Sequence, residues 1–157
     1  MIHAGNAKYR ILMDRSRTYI RLCAQAEEIQ SQWIPAHGDF FVGEQRRIQC
    51  WVDSVHAERE VRKGFGISRE DQKIISLTPY IWLPRLDQLM EMAQVPGRRF
   101  ESVSQEFFTW TKTGYPIGEY PPGRFFATLE QVWLAFVMQC RKAKVWDGSN
   151  WIPVTAE

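Results

Sequence analysis

Apolar residues recur at helical spacing early in the chain. Tyr19, Leu22, Cys23, Ala26, Ile29 and Trp33 share one face, opposite Gln25, Glu27, Glu28 and Gln32. This predicts an amphipathic helix of about 15–18 residues beginning near Ser16, with Pro35 as its latest end. The pattern then shortens to strand length. Residues 38–42 and 47–52 read as a hairpin around the connector Gly43-Glu44-Gln45-Arg46. Residues 74–77 and 80–83 are also strand-like, and Pro79 between them argues for an edge or a bulge. Helices are expected over 85–94, stopped by Pro96-Gly97, and over 104–111, entered through Ser102. Residues 114–123 hold three Gly and three Pro and read as an ordered loop or lid. Thr128 and Gln131 have capping-box spacing at the start of the most apolar helix, where residues 132–138 leave almost no polar face. That helix should be central, with Arg141, Lys142 and Lys144 complementing its C-terminal dipole. Val145-Trp146 and Trp151-Ile152 flank Asp147-Gly148 and predict a closing hairpin.

Strands and helices mix without βαβ alternation, which favours an α+β fold. The expected architecture is a single compact domain over 14–157. Small antiparallel strands and hairpins pack on a buried C-terminal helix and an amphipathic N-terminal helix, and residues 1–13 form a flexible segment. Three triplets punctuate this order: Trp33-Ile34-Pro35, Trp82-Leu83-Pro84 and Trp151-Ile152-Pro153. An aromatic followed by an aliphatic residue favours a half-buried strand, and proline then ends the ladder, so each triplet is expected to anchor a strand end.

Charge changes the picture only locally. The formal net charge is +2, but residues 1–21 hold Lys8, Arg10, Arg15, Arg17 and Arg21 against Asp14, a balance of +4 that leaves −2 elsewhere. Residues 53–73 carry five acids and five bases and read as a solvated excursion with a short surface helix around 54–63. Cys23, Cys50 and Cys140 lie far apart without zinc spacing, so neither metal nor disulfide is expected and a reducing compartment is implied. No apolar run approaches the roughly 18 residues of a membrane span, and the first residues lack the apolar core of a secretory signal. A cytoplasmic setting is the expectation.

The order of motifs resembles a group of uncharacterised small proteins encoded by bacteriophages and prophages. The matching residues are Tyr19-Ile20, Cys23-Ala24, Glu28-Ile29-Gln30, Trp33-x-Pro35 and Gly38-Asp39, then Trp82-Leu83-Pro84-Arg85-x-Asp87-Gln88-Leu89. They end with Leu129-Glu130-Gln131-x-Trp133 through Met138 and with Lys144-Val145-Trp146-Asp147-Gly148-x-x-Trp151. The resemblance spans residues 19–152 and implies a phage-related origin inside a bacterial host cell. It brings no assigned reaction, cofactor or catalytic residue.

Candidate chemistry concentrates at Trp82, Arg85, Asp87 and Gln88, where a strand passes into a helix. Arg85 opposes the helix dipole there and should be compensated by a carboxylate, Asp87 or Glu130, or by an anionic ligand. A Cys50–His37–Asp39 constellation is conceivable on paired strands, with Cys50 as a core residue the stronger reading. Trp146 and Trp151 flank a turn and are the tryptophans expected to be exposed for binding. No phosphate loop, dinucleotide fingerprint or metal motif is present in the sequence. The expectation is therefore an accessory protein acting through protein contacts, with no catalytic residue, cofactor or metal assigned. The alternatives are a nucleic-acid-binding protein using residues 1–21 with Trp146 or Trp151, and a small-molecule enzyme with a pocket near Arg85 and Asp87.

Overall fold

A computed structural model describes residues 13–43, 47–51, 80–113, 115 and 122–154. Residues 1–12 of the expected flexible segment 1–13, the charged stretch 53–73 with its surface helix, the strand at 74–77 and most of the loop 114–123 lie outside the described residues. Met13, placed at the end of the flexible segment, is buried in the core.

The amphipathic helix forms, but in two pieces. α1 (Arg17–Gln25) starts at Ser16, whose hydroxyl accepts the Tyr19 N–H, and α2 (Glu27–Gln30) follows after Ala26 leaves the helical region at φ −87°, ψ 69°. The side chain of Gln30 explains the break. Its Nε2 donates to the Cys23 carbonyl at 3.0 Å and to the Trp82 carbonyl at 3.0 Å, while its Oε1 accepts the Trp82 N–H at 2.8 Å. One amide thus adds a second bond to the Cys23 carbonyl, which already accepts the Ala26 N–H at 3.0 Å, and closes a strand edge that would otherwise leave polar groups unpaired.

That strand is β3 (Ile81–Leu83), which pairs antiparallel with β1 (Phe40–Val42), itself paired with β2 (Ile48–Cys50). The order β2-β1-β3 puts β3 at the edge, as Pro79 implied. Phe41 stands opposite both Gln49 and Trp82. Alternation sends Phe41 and Trp82 to one face of the sheet, away from Val42 and Leu83. Gly43 N–H bonds the Arg47 carbonyl at 3.1 Å, which fixes the expected hairpin register.

α3 (Leu86–Met92) and α4 (Phe100–Trp110) come next. α4 begins earlier than expected, at N-cap Arg99, because Phe100 and Glu101 continue the helix ahead of Ser102. After a 3-10 turn at Pro122–Arg124, Thr128 caps α5 (Leu129–Lys142) and its hydroxyl accepts the Gln131 N–H at 3.3 Å. The Gln131 side chain bonds the Ala127 N–H, one residue before the cap. α5 is the central helix: Trp133, Leu134, Ala135, Phe136, Val137 and Met138 are all buried. Phe107 of α4 stacks on Trp133 with centroids 3.9 Å apart and planes 6° from parallel.

β4 (Lys144–Trp146) and β5 (Trp151–Pro153) form the closing hairpin. Asp147 Oδ1 accepts the Ser149 and Asn150 N–H groups, and Gly148 at φ +103° takes the left-handed position that its lack of a Cβ permits. The domain is a single compact α+β unit. Two triplets end strands as expected; Trp33-Ile34-Pro35 instead follows α2 as irregular chain.

Candidate functional site

The loop from Trp33 to Asp39 and the turn from Trp82 to Gln88 meet around one buried carboxylate. Asp39 is 2% exposed, yet its side chain carries four hydrogen bonds. Oδ2 accepts from Trp33 Nε1 at 2.9 Å and from the Ala36 N–H at 3.0 Å. Oδ1 accepts from Gln88 Nε2 at 2.6 Å and from Arg85 Nη1 at 3.4 Å. The Gly38 carbonyl accepts a further Arg85 Nη1 bond at 2.8 Å. Gly38 sits at φ +87°, a backbone region that a side chain would strain. Gly38-Asp39, Trp33 and Arg85-x-Asp87-Gln88 are therefore parts of one clamp.

Arg85 has the compensating carboxylate that its position demanded. Its Nε and Nη2 reach the two oxygens of Asp87, each at 3.1 Å, in a two-pronged fork. Glu130 is not a partner. Burial works against the Arg85 charge, but the bond and charge of Asp87 and the charge of Asp39 outweigh it and raise the guanidinium pKa. Burial likewise opposes ionisation of Asp87, and Arg85 more than offsets it, holding that carboxylate below its ordinary value. The Arg85 N–H is taken by Gln88 Oε1 at 2.9 Å. These bonds commit the turn's polar groups to one another.

The sequence suggests Asp39 only as part of a catalytic trio, and its role as hub emerges from the structure. The signal was present: a lone acid between a glycine and a strand of aromatics must either face water or find several donors. The Asp39 carboxylate is instead committed to Trp33, Ala36, Gln88 and Arg85. Cys50 lies on an exposed position of β2, contrary to the core reading.

Trp146 and Trp151 do not make the exposed platform expected of them. Trp151 is 7% exposed and its Nε1 donates to the Leu22 carbonyl at 2.9 Å. Trp146 is half-buried, edge-on to Trp151 at 5.3 Å and covered by the Arg21 guanidinium at 5.6 Å. The cross-strand register that opposes Trp146 to Trp151 also draws both against α1.

An open groove of about 270 Å³ borders the clamp. Its lining includes Trp33, Ile34, Trp82, Gln88, Glu91 and Met92. Trp33 and Trp82 lie parallel, 6° apart in plane with centroids at 6.0 Å, and Trp33 meets Trp51 edge-on at 6.2 Å. Ile34 is 84% exposed. The Nε1–H groups of Trp82 and Trp51 are buried without an acceptor among the described groups. Among the described residues, no three His, Cys, Asp or Glu gather as a metal site.

A second buried polar cluster ties the two ends of the domain. Asp14 accepts from Ser16 N–H at 2.7 Å, Thr128 Oγ1 at 2.6 Å and Gln131 Nε2 at 2.7 Å. Its carboxylate thus sits at the N-termini of α1 and α5 together, where the helix dipoles favour a negative charge. Arg141, expected to serve only the dipole of α5, forks onto Glu106 of α4 at 2.9 and 3.0 Å and donates to the Ala93 carbonyl at the end of α3.

The chain matches no family model, no curated protein and no solved structure. No helix among the described residues is long and apolar enough to cross a membrane.

Proposed function

We propose that the chain is a phage- or prophage-derived accessory protein that works through protein contacts, and that the groove beside the Asp39 clamp is its contact site. The origin rests on the motif resemblance over residues 19–152. The contact site rests on Ile34. A branched aliphatic side chain 84% exposed at the lip of an aromatic groove gains its burial from a partner. The clamp fits this role because it holds Trp33 and the start of α3 at fixed positions, so a partner meets a preformed surface. The small-molecule enzyme near Arg85 and Asp87 has less support, since those two side chains are paired with each other.

The test is selection of peptides from a randomised library on the folded chain, followed by affinity measurement on Ile34→Asp. Peptides that bind the wild type and weaken at least tenfold on Ile34→Asp, at unchanged melting temperature, support the proposal. Enriched peptides indifferent to Ile34 count against it. Nucleic-acid binding is the second reading, favoured by the Arg21–Trp146 stack beside the exposed Arg17. It requires oligonucleotide affinity that falls steeply with salt and is weakened by Arg21→Gln.

A further inference from the structure

Arg85 opposes the dipole of its helix and finds a carboxylate; the arginines of α1 do not. Arg17 is the first residue of α1, where a cation opposes the dipole, and no acid stands in that first turn. Arg21 follows four residues later on the same side, and Arg15 lies just ahead of the Ser16 cap. All three are exposed, and none of them forms an ion pair among the described residues. The neighbouring acids are engaged elsewhere. Asp14 is buried and accepts from Ser16, Thr128 and Gln131, and Asp147 accepts from Ser149 and Asn150. The fold thus gives this row of guanidiniums no carboxylate partner.

Aromatic rings mark the two ends of the row. The Arg15 guanidinium lies over the Phe40 ring at 5.9 Å and that of Arg21 over the Trp146 ring at 5.6 Å, and both rings are half-buried. Trp146 is therefore not itself the platform; the guanidinium laid on it is. A flat cation backed by an aromatic ring offers a plane on which a nucleobase stacks, and Arg17, between the two in the chain, offers a charge for a phosphate. Cations that track a backbone, combined with stacking planes, are the chemistry of single-strand sites. A duplex keeps its bases stacked on one another and would leave these planes unused.

We infer that this face of α1 binds single-stranded nucleic acid, with Arg17 on a phosphate and bases stacked on the Arg15 and Arg21 guanidiniums. This rests on the nucleic-acid reading above and adds the form of the strand and the contacts that select it. The surface is separate from the groove at Ile34.

The probe is a fluorescein-labelled oligothymidylate of about twelve nucleotides, within the usual range of single-strand site sizes, titrated into the full-length chain at low salt. It should bind with an affinity that falls as salt rises, and the Trp146 indole resonance of the ¹⁵N-labelled chain should move saturably. A duplex of equal length should bind roughly tenfold more weakly. Arg17→Gln should lower the slope of log affinity against log salt by about 0.7, the share of one single-strand phosphate contact. Arg21→Lys keeps the charge and loses the plane, so it should weaken the oligothymidylate roughly tenfold while leaving the affinity for inorganic polyphosphate unchanged. Arg15→Lys repeats that test at the other ring, and equal melting temperatures validate each comparison. A duplex that binds as tightly as the single strand would overturn the inference and leave the nucleic-acid reading standing. So would indifference of the single strand to both lysine variants, or a Trp146 signal that stays still at saturation. Absence of salt-dependent affinity for either form would sink the inference and the reading together.

Discussion

Removing the Asp39 carboxylate is the sharpest perturbation of the clamp. In Asp39→Ala four donors lose their acceptor: Trp33 Nε1, the Ala36 N–H, Gln88 Nε2 and one arm of Arg85. They do not count equally. Ala36 lies at the surface, and Arg85 keeps Asp87 and the Gly38 carbonyl, so water and existing partners absorb most of those two losses. Trp33 and Gln88 are partly buried and have no comparable substitute. Two stranded donors at roughly 1–3 kcal/mol each, together with the weakened pairing of Arg85, give a cost of about 3–5 kcal/mol. The melting temperature should then fall by roughly 6–20 °C for a domain of this size. Arg85→Met should be milder, about 1–2 kcal/mol, because Asp39 retains three donors and Asp87, with its side chain 69% exposed, is rehydrated. Urea titration followed by tryptophan fluorescence measures both. A loss below about 1 kcal/mol for Asp39→Ala, or a larger loss for Arg85→Met, would refute the assignment of Asp39 as the hub.

Gln30→Leu strands the Trp82 N–H and carbonyl and one Cys23 carbonyl bond, so it should cost about 2–4 kcal/mol and speed hydrogen exchange at the Trp82 amide. An unchanged exchange rate would mean that the amide does not close the strand edge. Trp133→Ala should cost about 3–5 kcal/mol by denaturant titration, since the ring stacks on Phe107 in the centre of the core. Burial opposes ionisation of Asp14, but bonds from Thr128, Ser16 and Gln131 outweigh it and depress its pKa below the ordinary 3.8. Its contribution is therefore complete above pH 3.8 and is lost as pH falls through the lower folded value, so Asp14→Asn should flatten the acid limb of the stability profile.

How far the sequence reveals this protein depends on the range of the interaction involved. The caps at Ser16 and Thr128, the Asp147-Gly148 turn, the hairpin around residue 43 and the buried helix all rest on neighbours within a few positions, and each was legible. The break at Ala26 was not, because it depends on Gln30 reaching a strand 52 residues away. Tertiary demand there overrides a helical pattern that runs on to Trp33. The same distance hid the site. Arg85 could be assigned a carboxylate from local electrostatics, and Asp87 two residues on is that partner. Asp39 lies 46 residues from Arg85 and enters only when β1 pairs with β3. The expected exposure of Trp146 and Trp151 follows from turn residues being commonly wet, and the structure departs from it. Here the hairpin folds onto α1, and Leu22 and Arg21 claim the two rings.

The Trp33 indole proton reports on the clamp and on the groove wall at once. Its hydrogen exchange, read from the ¹H–¹⁵N spectrum of the wild type and of Asp39→Asn, is the most direct test of the claim that these motifs converge on one carboxylate. The account predicts a slowly exchanging Trp33 Nε1–H in the wild type, more slowly exchanging than in Asp39→Asn, with Trp151 Nε1–H unaffected by the substitution. A Trp33 proton that exchanges as fast as a free indole, or that is indifferent to Asp39, would contradict it.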